Sequence, residues 1–338
     1  MDDRKNFILG AVLRSYINSA EPIGSRSLQR DYDLKISAAT IRNEMSDLEH
    51  LGYLMKAHTS SGRIPSPQAY RWYVDEIQSQ GITLPKIPAL VDKSLLHQSS
   101  ELKNIMDTAL EILAQSTNYA SFALLPARSD DKLESLELIQ VSDQEILLVM
   151  VYHSRMVKTD LIYLKGNYNA GRIRRAKEVL QGLLVGKELS LIDNALHSYF
   201  FSSSSLKTNL LAEVVPIIQK QIRESLEPSI AFKGLSRLYE IEDYGTWDET
   251  SAFIGKLTNS DDFVDLLSDK TNKDIEIYIG DESNISFLSK SSIIVAPFQV
   301  SDSFKGKIGV IGPTRMQYQK VLFDVAMIGR YIGSIAAR

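Results

Sequence analysis

The amino-acid sequence predicts an α+β chain of more than one domain, and three observations predict it. A length of 338 residues exceeds what one compact core comfortably holds. Strand-like runs joined by short turns fill two stretches, about 122–164 and 276–311, with helix-patterned sequence between them. Residues 1–80 follow a third plan, helices and then one short hairpin.

The first block opens with a helix over 4–19, where Phe7, Ile8, Ala11, Val12, Ser15 and Tyr16 share a side. Glu21-Pro22-Ile23-Gly24 breaks it. Ser25 caps a short helix over 26–31, with Leu28 facing inward. After a turn at 32–36, Ser37 caps a third helix whose stripe is Ile41, Met45, Leu48 and Leu51. Gly52 stops that helix. Tyr53-Leu54-Met55 starts a short strand, and Ser60-Ser61-Gly62 turns it back toward Ile64. Helix, turn, capped helix and basic hairpin, in that order, make a winged helix-turn-helix. Ser66 caps a fourth helix over 68–80, whose Trp72 and Tyr73 are read as domain packing rather than base stacking.

The apolar stripe leaves Ala39, Arg42, Asn43 and Ser46 on the opposite face of the third helix. Small side chains beside paired donors and acceptors suit base edges in a major groove. A solvated helix face looks the same in isolation. What favours DNA is the hairpin behind it, with Lys56, His58 and Arg63 expected at its tip. Ser25 and Arg26, Ser37 and Thr40 at two helix starts, and Thr59 and Ser60 in the hairpin complete the candidate DNA-contacting set. A net charge of −4 does not forbid this, because binding follows local charge. Residues 1–80 balance ten basic against ten acidic side chains, and between Glu49 and Asp75 the charged residues are Lys56, Arg63 and Arg71. One neutral head makes few phosphate contacts, so two are expected to act together.

Residues 81–88 contain two prolines and read as a semi-rigid linker. An amphipathic helix follows over 92–117, with Leu102, Ile105, Met106, Ala109 and Leu113 as its stripe. Runs at 122–125, 136–141, 145–152 and 156–164 read as one antiparallel meander. From about 169 to 227 the pattern is helical, in three sets. Strands resume at 276–279, 292–297 and 306–311, and a helix over 315–337 ends the chain. The simplest division is a head at 1–80, the linker at 81–88, an α+β domain in two parts at 89–166 and 241–338, and a helical insert at 167–240. Leu210, Leu211, Val214, Val215, Ile217 and Ile218 offer more aliphatic surface than a small insert is expected to hide. They are the expected dimerisation surface.

Catalytic chemistry finds no foothold. There is no cysteine, so disulfides, thiol nucleophiles and cysteine zinc sites are excluded. None of the five histidines is paired at metal-ligand spacing, and Gly-x-Ser-x-Gly does not occur. Asp261-Asp262 is expected in a water-facing loop. Gly306-Lys-Ile-Gly309-Val-Ile-Gly312 lacks the spacing of a phosphate loop and reads as a strand and tight turn, with Thr314 capping the last helix. The expectation is no enzymatic activity, no cofactor and no metal. No apolar run approaches membrane-spanning length, and no apolar signal region follows the first residues, so a cytoplasmic protein is expected.

Two blocks carry a family resemblance. The first runs through Glu21-Pro-Ile-Gly-Ser-Arg-Ser-Leu28, Ser37-Ala-Ala-Thr-Ile-Arg-Asn-Glu-Met-Ser-Asp-Leu-Glu49, Gly52-Tyr-Leu54, His58-Thr-Ser-Ser-Gly-Arg-Ile-Pro65 and Tyr70-Arg-Trp-Tyr-Val-Asp75. The second is Gly306-Lys-Ile-Gly-Val-Ile-Gly-Pro-Thr-Arg-Met316, with Tyr318 behind it. Together they resemble the HrcA family of heat-inducible transcription repressors. Ile279-Gly-Asp-Glu-Ser departs from that family's usual Ile-Gly-x-Glu-Asn. The resemblance implies a winged helix, a GAF-like domain and an inserted dimerising domain. It implies a homodimer that represses chaperone operons from an inverted-repeat operator and is kept active by the chaperonin. The alternative is a regulator whose GAF-like domain senses a small metabolite, which requires an apolar pocket with convergent polar groups in that domain.

Overall fold

The computed structural model describes residues 2–33, 35–57, 62–81, 102–125, 127, 129–154, 156–202, 209–268, 275–299 and 305–336. The expected linker from 82 onward and the first part of the helix expected from 92 lie outside them. Among the described residues the fold is mixed helix and antiparallel sheet, in three packing units.

The head contains α1 (Asp3–Ser19), α2 (Ser25–Asp31), α3 (Ala38–His50), β1 (Leu54–Lys56), β2 (Arg63–Pro65) and α4 (Pro67–Ser79). Ser37 caps α3 by accepting from the Thr40 amide, and Ser66 caps α4 by accepting from Ala69, with Pro67 in the first turn. Ile41, Met45 and Leu48 are buried, and α3 packs on α1 and α2. The wing pairs Leu54 with Pro65 and Lys56 with Arg63. Ile23 adds a third partner, exchanging two 2.9 Å backbone hydrogen bonds with Arg63. This explains Gly62: a Cβ there would stand 2.7 Å from the Pro22 side chain and 2.9 Å from its backbone.

The second unit is a five-stranded antiparallel sheet in the order β7-β3-β10-β9-β8. Its strands are β3 (Ala120–Leu125), β7 (Ser229–Lys233), β8 (Glu276–Ile279), β9 (Ser291–Gln299) and β10 (Lys305–Pro313). On one face lie α5 (Leu102–Thr117) and the last helix, α11 (Tyr318–Ala336). On the other lie α9 (Trp247–Thr258) and α10 (Asp261–Ser268). The first face shares one continuous apolar core with the head, and the Tyr70 and Tyr318 rings meet there at 6.1 Å. The glycines of 306–312 serve sheet packing. A Cβ on Gly309 would stand 2.5 Å from the Ile294 carbonyl oxygen and 2.7 Å from the Phe122 ring.

The third unit is a three-stranded antiparallel sheet, β4 (Leu133–Ser142), β5 (Glu145–Tyr152) and β6 (Val157–Tyr163). Over it lie α6 (Ala170–Leu184), α7 (Leu189–Ser202) and α8 (Asn209–Leu226). Its own core runs from Leu133 to Ile222. The insert is therefore not helical alone, and its packing does not begin at 167. The single meander expected from 122 to 164 divides after β3. β3 is apolar on both sides and sits between two layers, whereas β5 alternates strictly between buried and half-buried. Chain topology makes the point sharply: β3 leaves the second unit at Leu125, and β7 re-enters it at Ser229, directly opposite Leu125 in the ladder. Likewise 229–240, expected in the insert, belongs to the second unit as β7 and the turn after it.

Three smaller expectations are corrected. Asp261 and Asp262 form the first turn of α10, where acidic side chains favour the helix dipole. The last helix starts at Tyr318, and Thr314 supplies a carbonyl to the Tyr318 hydroxyl rather than a cap. The proposed dimer residues face inward: Leu210, Leu211, Val214, Val215 and Ile218 are buried, and Ile217 is half-buried against the same core. The sheet β4–β6 supplies the cover that a purely helical insert would have lacked. Leu211→Ala should accordingly lower stability by about 2–5 kcal/mol. A thermal melt would register it, with the association state of the folded molecules unchanged.

Candidate nucleic-acid interface

Burial of Ile41, Met45 and Leu48 turns Ala39, Arg42 and Asn43 outward into solvent, with Ser46 half-exposed beside them. Ser37 and Thr40 are occupied with each other. Their hydroxyls lie 2.9 Å apart and the Thr40 amide donates to Ser37 at 3.0 Å, so they hold the helix start rather than reach out. The helix also carries acids, which phosphate would repel. Glu44 and Asp47 are drawn to α1 instead: Lys5 sits 2.8 Å from Glu44 and 3.1 Å from Asp47, and Arg4 is 3.7 Å from Glu44. These hydrogen bonds, Glu44 first and then Asp47, hold the Lys5 ammonium above the usual lysine range.

Beside Arg42 the surface forms a notch of about 340 Å³ lined by Gly24, Ser25, Arg26, Arg42, Met45 and Arg63. Three arginines from α2, α3 and the wing thus converge on a domain with no net charge. A guanidinium fork suits phosphate or a guanine edge, and the exposed Arg26 and Arg42 give a local positive field that composition hides, while Arg63 is paired with Glu49.

The wing departs from expectation. Arg63 is not at its tip. It lies in β2, where its Nε donates to Glu49 at 2.7 Å and its side chain is only 16% exposed. Lys56 is 70% exposed and stands 3.4 Å from the same carboxylate. Glu49 thus offsets both basic residues at the wing's base, a pairing unexpected from a stretch that looks free of acid. His58, Thr59 and Ser60 lie outside the described residues. Glu49→Gln should steepen the salt dependence of DNA binding by roughly one unit of slope for each further phosphate engaged, and Lys56→Ala should flatten it by the same measure. Titrations across a salt series decide this, and an unchanged slope in both variants would remove the base of the wing from the interface.

In the sheet unit, Phe122, Phe232 and Phe263 pack together in the layer that includes α10, with ring centroids 5.2–6.2 Å apart. A cleft of about 1050 Å³ lies between α1, α4 and the start of α11. Among the described residues no group of three or more His, Asp or Glu is placed to hold a metal, and no helix is long and apolar enough to cross a membrane.

The family model described as HrcA protein C terminal domain matches residues 103–322. The heat-inducible transcription repressor HrcA of Lachnoclostridium phytofermentans is 31% identical over 326 residues, covering 95% of this chain and 94% of that protein. The protein of the same name from Caldanaerobacter subterraneus subsp. tengcongensis is 30% identical over 337 residues, covering 99% and 97%. A crystal structure described only as that of a hypothetical protein superposes with a TM-score of 0.74 at 21% identity over 99% of both chains, which shows the same fold throughout. The chain belongs to the HrcA family of heat-inducible transcription repressors.

Proposed function

We propose that the protein represses chaperone operons in the cytoplasm by binding an inverted-repeat operator as a homodimer, with α3 reading bases and the wing holding the backbone. One observation carries the DNA contact: Arg42 and Asn43 stand exposed on a capped helix, with Arg42 lining a notch beside Arg26. The helix of a helix-turn-helix presents its N-terminal residues to base edges, and these two lie in its first turns. Support by the chaperonin comes with the family resemblance, as does the choice of operons.

The dimer reading now rests on the third unit's other face. Alternation along β4–β6 leaves Ile139, Val141, Leu161 and Tyr163 exposed at 49%, 57%, 40% and 70%. Leu147 lies between Ile139 and Leu161 in the ladder, and Val149 beside Thr159. An open sheet face of this kind is what a two-fold interface covers, sheet against sheet.

Selection of bound duplexes from a random-sequence pool tests the reading without assuming a site. The expected product is an inverted repeat, footprinted ahead of chaperone genes on the chromosome and bound more tightly when chaperonin is added. Enrichment of no sequence would overturn the proposal.

A further inference from the structure

We propose that Arg71 is a positioning residue, which fixes the angle of the reading head on the sheet unit and so the half-site spacing that the dimer accepts. The inference rests on the operator-binding reading above. Arg71 lies on α4 and is not among the residues lining the notch. Its Nε donates to Glu282 Oε1 at 2.8 Å. One terminal nitrogen, Nη2, donates both to Glu282 Oε2 and, at 2.8 Å, to the Ile277 carbonyl. The other, Nη1, reaches Asp75 at 3.5 Å. Glu282 is itself anchored, accepting from the Ile279 amide at 2.9 Å. Ile277 and Ile279 belong to β8, so the fork grips the edge of the five-stranded sheet.

Two kinds of contact join the head to this unit, and they differ in what they specify. The shared apolar core and the Tyr70–Tyr318 pair provide adhesion through burial that is non-directional in origin. The guanidinium is a planar fork whose hydrogen bonds have fixed directions. With side chains 31% and 36% exposed, the Arg71–Glu282 pair adds little to stability. Its contribution is orientation. The placement suits that role, because a dimer meets two half-sites at once only if each head holds a fixed angle.

The test uses the full-length protein and the duplex recovered by selection. Three probes are compared: that inverted repeat, versions with the half-sites moved apart by one to several base pairs, and a single half-site. The unsubstituted protein should lose about tenfold or more on the re-spaced duplexes, since simultaneous engagement is then lost. Arg71→Ala, Arg71→Lys and Glu282→Gln should each compress that preference to within about threefold. Lysine should not rescue it, because an ammonium has no fork. Half-site affinity and thermal midpoint should stay as in the unsubstituted protein. Retention of the full spacing preference in the variants would overturn the assignment. So would an equal loss on every probe, which marks a merely structural role. A parent protein that binds no duplex would instead overturn the operator reading itself.

Discussion

Arg42→Ala should cost about 1–3 kcal/mol of binding free energy on the selected operator and little on random duplex DNA. The side chain stands outward on α3, one residue from Asn43, with Met45 and Arg63 beside it in the notch. A bidentate contact to a base edge is lost only where that base is present, so the effect is confined to the specific site. A phosphate contact is lost on every sequence. Arg26 is the internal comparison. It lies at the start of α2, across the notch, where the backbone passes in a helix-turn-helix complex. Arg26→Ala should weaken operator and random duplex alike and lower the salt slope by roughly one unit. If Arg42→Ala behaves as Arg26→Ala does, α3 lies along the backbone rather than in the groove, and base reading must come from another element.

Much of the head's fold is legible because its signals are local. Ser37 before an apolar stripe, Gly52 after it, and a short strand behind describe a capped helix and wing within one stretch of thirty or so residues. What escaped depends on residues far apart. Glu49 meets Arg63 across a turn, and Arg71 meets Glu282 across most of the chain, so neither pairing leaves a periodic trace. Other elements carry local signals of their own. Thr246-Trp-Asp-Glu249 is a capping box, and it starts α9. Ala120-Ser-Phe-Ala-Leu-Leu125 is a short continuous apolar run, the mark of a strand covered on both faces. On that pattern β3 parts from the alternating strands after it. The aliphatic pairs at 210–218 then find cover within their own chain.

The largest effect is expected from the open face of β4–β6. Leu161→Arg places a charge in the row Ile139–Leu147–Leu161, where a partner sheet would have to desolvate it. Sedimentation should show a monomer at concentrations where the parent is a dimer, and affinity for the inverted repeat should fall by about 10²–10⁴ as avidity is lost. Half-site affinity should not change, because the head is untouched. The fold should survive, since Leu161 is already 40% exposed and the inner face, with Leu148, Met150 and Ile162, keeps its helices. Deleting the unit gives an independent route to the same end. Excising helices 170–226 alone would strip Leu136, Leu148 and Met150 of their cover and leave an insoluble remnant. Replacing 126–228 by a short turn avoids this, because Leu125 and Ser229 are already paired neighbours, and β3 and β7 then become a hairpin. The shortened chain should keep the head's shared core, remain monomeric and bind one half-site as the parent does. A dimer that persists in the shortened chain would place the two-fold contact on the sheet unit or the head, and the apolar face of β4–β6 would need a different partner.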